Sequence, residues 1–235
     1  MPNTINIFVL GNGESRQEIE LEDLSSHGII YGCNALYRDF IPDVLVVVDP
    51  AMHNEILATD YIENNKVCFR ETVTPPNKRY SNVDGVLVED IPVPWEHPNV
   101  TKVQDVIENY NFEQRAGHNS ALKIGFSSGP QATLLGCCLE NPSDVYLIGH
   151  DIISLSKKIN NVYKDTVNYG VSSDEPTPGV NWIDHLKIIF EEWSKVNFWH
   201  VGPLKNIKVW KGVVNIQPLS ISEMWKRLNS ETVIL

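Results

Sequence analysis

The chain predicts an α/β fold: a Rossmann-like, mostly parallel central sheet with helices on both faces and a flap over one edge. Three observations carry this. Short β-branched and aromatic runs alternate with helical or polar segments. Several of the runs are apolar without interruption, as strands covered on both faces are. Several also stop at Gly, Asn or Asp, where a doubly wound sheet meets its ligands.

Ile5–Leu10 is the first strand and breaks into Gly11-Asn12-Gly13. Glu18–Leu24 reads as a short helix or turn carrying Ile19, Leu21 and Leu24. Gly28–Cys33 is a second strand ending at Asn34, and Val44–Val48 a third ending at Asp49-Pro50. Met52–Ile62 suits a helix and Lys66–Phe69 a strand. From about 71 to 118 the chain is rich in Pro, Asn and charge, which predicts an irregular insertion. Ser128–Leu139 has small and apolar residues on most faces, as a buried helix does. Asp144–Ile148 is a central strand stopped by Gly149-His150-Asp151. Ser154–Thr177 is polar and suits a mobile flap, within a lid at about 152–180. Asn181–Val196 is an amphipathic helix with Trp182, Leu186, Ile189, Phe190 and Trp193, and Asn197–Val201 is a final parallel strand. Residues 1–235 are expected to form a single domain.

At 235 residues the chain can bury a substantial core. A net charge of −11 argues against extensive non-specific nucleic-acid binding. No run of about 18 apolar residues exists, so no transmembrane helix is expected. The sequence enters its first strand almost at once, which leaves no room for a signal peptide. Cys33, Cys68, Cys137 and Cys138 lack metal-ligand spacing and read as reduced core residues of a cytoplasmic protein.

The strand ends hold the chemistry. Gly11, Asn12, Gly13 and Ser15 are placed to cradle a phosphate, the glycines admitting it close to backbone N–H groups. The plainer reading is an ordinary turn of a parallel sheet. Asn34 is a hydrogen-bonding partner for a base or sugar, or a turn-capping Asn. Asp49 is a ligand residue or a helix cap. Ser127, Ser128 and Gly129 precede a helix and offer a second anion site, or a plain N-cap. Asp151 suits a ribose, a His or a Mg ion, and His150 a general base.

Four of these motifs resemble a known family. Gly11-Asn12-Gly13-Glu14-Ser15 resembles the G-N-G-P-S loop of the compact bacterial sialyltransferases that decorate lipo-oligosaccharide, with Glu14 where the family carries Pro. Gly32-Cys33-Asn34-Ala35-Leu36-Tyr37 is similar to their C-N-x-x-Y/F element. Ser127-Ser128-Gly129-Pro130 resembles their T-S-G segment, and Val145–Asp151 their I-Y-L-x-G-x-D strand. The resemblance spans roughly residues 5–50 and 125–205. The same motifs resemble a related group, the archaeal 6-hydroxymethylpterin pyrophosphokinases and flagellin-glycosylation accessory factors, which Gly149-His150-Asp151-Ile152 suits equally.

The resemblance implies a nucleotide at these strand ends and a His that deprotonates the acceptor. Pro178–Trp182, the matching stretch, has no His, so His185 one turn further, or His118, is the substitute. It also implies two lid tyrosines that stabilise the departing phosphate, here Tyr163 and Tyr169. Arg115, Lys157, Lys158 and Lys164 are available to neutralise phosphate, or are plain surface charge. The function expected first is a nucleotide-sugar-dependent glycosyltransferase acting on an acceptor hydroxyl, with His185, His150 or Asp151 as base and no required cofactor or metal. The alternatives are an ATP/Mg-dependent pyrophosphokinase and a non-catalytic nucleotide-binding accessory protein.

Overall fold

Eight parallel strands form one open sheet in the computed structural model, which describes residues 5–71, 80–83, 86–89, 91–111, 126–154, 156–202 and 209–232. In chain order they are β1 (Asn6–Leu10), β2 (Ile29–Cys33), β3 (Val44–Val47), β4 (Val67–Phe69), β7 (Val100–Lys102), β8 (Asp144–Ile148), β9 (Asn197–Val201) and β10 (Ile216–Leu219). Their order across the sheet is β10-β9-β8-β1-β2-β3-β4-β7. A separate antiparallel hairpin joins β5 (Tyr80–Val83) and β6 (Val86–Glu89).

Connections leave β1 toward β2, β3 and β4 on one side and run through β8, β9 and β10 on the other. The direction therefore reverses between β1 and β8, which pair from Asn6–Asp144 to Leu10–Ile148. Diverging loops at such a reversal open a crevice beyond the carboxyl ends of the strands.

Strand alternation sorts the helices onto two faces. Ile7, Val9, Tyr31, Val46, Val145 and Leu147 face α3 (Val103–Tyr110), α4 (Ser128–Glu140) and α5 (Val180–Glu192). Phe8, Leu10, Leu45, Val47 and Ile148 face α1 (Pro50–Leu57), α2 (Tyr61–Asn64) and α6 (Ile221–Thr232). Ile7, Phe8, Val9 and Leu10 are fully buried. Each such side chain contributes about 1.5–3 kcal/mol from apolar burial, so β1 anchors both halves of the core. The four cysteines are free thiols, and burial pushes Cys33 and Cys68 up to about 12.

Three expectations change. The stretch from 71 to 118 is not uniformly irregular: it holds β5, β6, the edge strand β7 and α3. Val103, Val106 and Ile107 are buried, an i, i+3, i+4 stripe that the surrounding prolines and charges obscured. β9 is not the last strand, because β10 adds an edge despite Pro218. An edge position spares that proline the missing ladder donor. Finally, the helix expected over Met52–Ile62 divides into α1 and α2.

The segment proposed as a mobile flap is tied down. Arg38 donates to Thr166 Oγ1 at 2.8 Å and to the Val167 carbonyl at 3.0 Å. Asn168 Nδ2 donates to Glu55 at 2.7 Å, and Lys164 pairs with Glu14. Val162 N–H donates to the Asn12 carbonyl at 2.8 Å. The segment lies closed over the carboxyl edge of the sheet. Among the described residues, no helix is long and apolar enough to cross a membrane.

Candidate functional site

The loops after β1 and β8 are bonded to each other. Gly11 N–H donates to the Ile148 carbonyl at 2.8 Å and Gly13 N–H to the Gly149 carbonyl at 2.9 Å. Ser15 N–H donates to Asp151 Oδ2 at 2.9 Å, and Ser15 Oγ bonds Asp151 Oδ1. Glu14 N–H donates to Asn160 Oδ1 at 2.9 Å. These amides, which the sequence offered to a phosphate, are satisfied within the protein. Gly13 is required for a different reason: a Cβ there would lie 2.6 Å from the Asp151 carboxyl and from the Gly149 carbonyl oxygen. Gly149 adopts φ +68°, a conformation open to Gly at little cost.

The ends of β2 and β3 behave differently. Asn34 is buried with φ 47°, a left-handed geometry that Asn tolerates. Its Oδ1 accepts the Val48 N–H at 3.2 Å, while its Nδ2 donates to Asp49 Oδ2 and, at 3.3 Å, to Ser128 Oγ. Asp49 sits at the N-cap position of α1, yet its side chain makes no cap hydrogen bond. Its side chain reaches across to Asn34 and is wetted through the cavity. The protein around Asp49 still costs it hydration, which pushes its carboxyl above the usual range; the Asn34 hydrogen bond and the Arg70 charge oppose that rise.

Facing them is the start of α4. Ser127 Oγ is buried without a partner among the described residues, and Ser127 makes no side-chain cap. The first N–H groups of a helix have no intrahelical acceptor and carry the positive end of its dipole. Together with the Asn34 amide and Ser128 Oγ they form a cluster of donors at one wall.

Between these parts lies a cavity of about 420 Å³. Its wall includes Gly11, Asn12, Gly13, Asn34, Asp49, Ser127, Ser128, Gly129, His150, Asp151 and Tyr169. The flap closes it with Ile159, Asn160, Asn161, Asn168 and Gly170, and α5 adds Trp182. The flap asparagines had no sequence signal as wall residues, because nothing local fixes how the flap folds back. Ser15 lies behind the wall, holding Asp151.

The titratable candidates divide. His150 is pushed down to about 3, by burial first and by the neighbouring His200 next. His200 Nδ1 accepts from Trp210 Nε1 at 2.9 Å, so its Nε2 is the donor to the His150 carbonyl at 2.9 Å. Both imidazoles are therefore neutral at pH 7, and His150 is too weak a base to take a proton there. Both Asp151 oxygens are occupied by Ser15, which gives Asp151 a structural task.

His185 is half-buried on α5 and stacks on Phe126, centroids 4.4 Å apart. Its Nδ1 has no partner among the described residues, and burial lowers its pKa. It stands beside the cavity, next to Ser127 through Phe126, and not on the wall itself. His118 and Arg115 fall outside the described residues.

The two flap tyrosines also part ways. Tyr169 lies on the wall, and its hydroxyl accepts from Asn12 Nδ2 at 3.2 Å. Tyr163 is buried behind it, taking a hydrogen bond from Arg16 at 2.7 Å and donating to Asp39. Arg38 packs over both rings at 5.6 Å. Tyr163 thus secures the flap and does not reach the cavity. Lys157 and Lys158 are exposed, and neither they nor Lys164 lines the wall.

No family model matches the chain, and no curated protein matches it. Solved structures do. The sialyltransferase CST-II in complex with a trisaccharide acceptor and CMP superposes with TM-score 0.52 at 14% identity, covering 89% of this chain and 86% of that one. A point variant of CST-II in complex with CMP gives 0.56 at 13%, covering 89% and 87%. CstII from Campylobacter jejuni in complex with CMP-3FNeuAc gives 0.51 at 13%, covering 92% and 86%. The chain has a sialyltransferase-like fold. The likeness runs through nearly the whole chain, while at this identity it speaks to the fold alone.

Proposed function

We propose that the chain is a nucleotide-sugar-dependent glycosyltransferase that moves a sugar onto an acceptor hydroxyl. The observation that carries this reading is the meeting, in one cavity at the sheet reversal, of Asn34, Asp49, the start of α4 and Tyr169. A helix N-terminus with added hydroxyl and amide donors suits the phosphate of a nucleotide. The likeness in fold to sialyltransferases crystallised with CMP supports the same ligand class.

In this reading the nucleotide phosphate lies against Ser127, Ser128 and Gly129. His185, neutral at pH 7 and beside the cavity, takes the proton of an acceptor hydroxyl that reaches past the wall to its unpartnered Nδ1. The hydroxyl oxygen bonds to the anomeric carbon as the bond from that carbon to the phosphate oxygen breaks. Negative charge then gathers on the departing phosphate, where the α4 N–H groups and the Tyr169 hydroxyl stabilise it. The closed flap excludes water that would otherwise hydrolyse the donor. The donors at this wall are neutral protein groups, so the reading assigns no obligatory metal; Mg belongs to the pyrophosphokinase alternative.

A thermal-shift panel of CMP, CDP, UDP, GDP, ADP and ATP, each with and without Mg, tests this. A ligand at a hundredfold excess over its Kd stabilises the fold by about 2.7 kcal/mol. A shift with CMP or a nucleoside diphosphate that is independent of Mg and weakened by Ser128→Ala is expected. A response confined to ATP with Mg moves the assignment to pyrophosphoryl transfer. Tight nucleotide binding with no sugar transfer across acceptors identifies an accessory protein, and silence across the panel removes the nucleotide site.

A further inference from the structure

Among the described residues, the charge on the cavity wall is one-sided. Two carboxylates stand on its wall, Asp49 and Asp151, and no Lys or Arg is among the described wall residues. Asp151 is committed to Ser15 through both oxygens. Asp49 is not held in that way: it leaves α1 uncapped, meets Asn34 Nδ2 through Oδ2, and faces the solvent of the cavity. Arg70 lies behind it and softens its charge from a distance. The Arg70 guanidinium is directed elsewhere, to the carbonyls of Phe126 at 3.0 Å and Val48 at 3.2 Å.

A carboxylate beside a carboxamide is well suited to sugar hydroxyls. Each hydroxyl can donate to the acid and accept from a neighbouring N–H or O–H, and Ser128 Oγ and the Tyr169 hydroxyl stand nearby for this. A carboxylate on the sugar would instead meet a like charge at Asp49, with no cation among the described wall residues to compensate.

We propose that the donor's sugar carries no negative charge and that its hydroxyls donate to Asp49. This rests on the nucleotide-sugar reading above and adds the class of sugar to it. It also gives Asp49 a role in choosing the donor, set by charge in addition to shape.

The test is titration calorimetry of the full chain with donors matched in nucleotide but not in sugar charge. The pairs are UDP-glucose against UDP-glucuronate and GDP-mannose against GDP-mannuronate. CDP-glucose against CDP-glucuronate extends the test to cytidine, with free CMP, UDP and GDP as references. The neutral member of the pair carrying the accepted base is expected to bind at least about tenfold more tightly. Asp49→Asn keeps the size of the side chain and an acceptor for Asn34, and is expected to shrink that gap to about threefold or less by improving the acidic member. Equal or tighter binding of the acidic donor by the natural chain overturns the inference while leaving the nucleotide site intact, as does a gap that Asp49→Asn does not narrow. Failure of both the free nucleotides and the donors to bind overturns the inference and the nucleotide-sugar reading together.

Discussion

Two corners of one cavity treat their polar groups in opposite ways. At the β1/β8 corner the amides of Gly11, Gly13, Glu14 and Ser15 are all bonded to protein, and Asp151 is closed off by Ser15. At the β2/β3/α4 corner the Asp49 side chain leaves its helix uncapped, Ser127 Oγ has no partner among the described residues, and α4 begins without a side-chain cap. The first corner is a joint, and the second is the one proposed to receive the ligand. Glycines at a strand end are therefore ambiguous, since close approach of backbone to backbone demands them as firmly as close approach to a phosphate.

The largest expected effect comes from breaking the joint. Gly13→Val sets new atoms against Asp151 and the Gly149 carbonyl, where overpacking costs about 3 kcal/mol or more. Thermal unfolding followed by circular dichroism should show Tm falling by about 6–12 °C for a chain of this size. An unchanged Tm would mean that the two loops are not coupled.

Acidification should act next. The histidines of the joint are neutral in the fold but titrate near 6.5 once unfolded, so the unfolded chain binds the extra protons. The stability that His150 contributes is present above about pH 6.5 and is lost as pH falls toward about 3, at about 1 kcal/mol per unit over the first units. His150→Gln should flatten the dependence of Tm on pH between 7 and 5. An equally steep profile in the variant would place the sensitivity elsewhere.

The smallest effect on stability should come from the receptor corner. Ser128→Ala removes a wall hydroxyl and is expected to change stability by about 0.5 kcal/mol or less while weakening nucleotide binding about tenfold. A variant that loses several degrees of Tm and keeps its affinity would reverse the assignment of the two corners.

The sheet was largely legible from the sequence. Continuous apolar runs such as Ile7–Leu10 and Val145–Ile148 can be satisfied only by cover on both faces, and both lie at its centre. The carboxyl ends named Asn34, Asp49 and Ser127–Gly129, which do meet at the cavity. What was illegible depends on distant partners. Nothing local says that the Gly13 amide is taken by Gly149, that Tyr163 turns inward to Arg16 while Tyr169 faces the cavity, or that the flap asparagines line it. The α3 stripe was hidden for a simpler reason, because eight residues give a short period set among breakers.

The joint between the β1 and β8 loops also dictates an order of assembly. Ser15 and Asp151 are 136 residues apart in the chain. During synthesis the amino-terminal third emerges with the Gly11–Ser15 amides unsatisfied and β1 without its β8 neighbour. Closing so long a loop is entropically expensive and slow. The cavity cannot take shape until Asp151 has left the ribosome, so fragments ending before that residue are expected to be blind to the ligand however well their first strands pair.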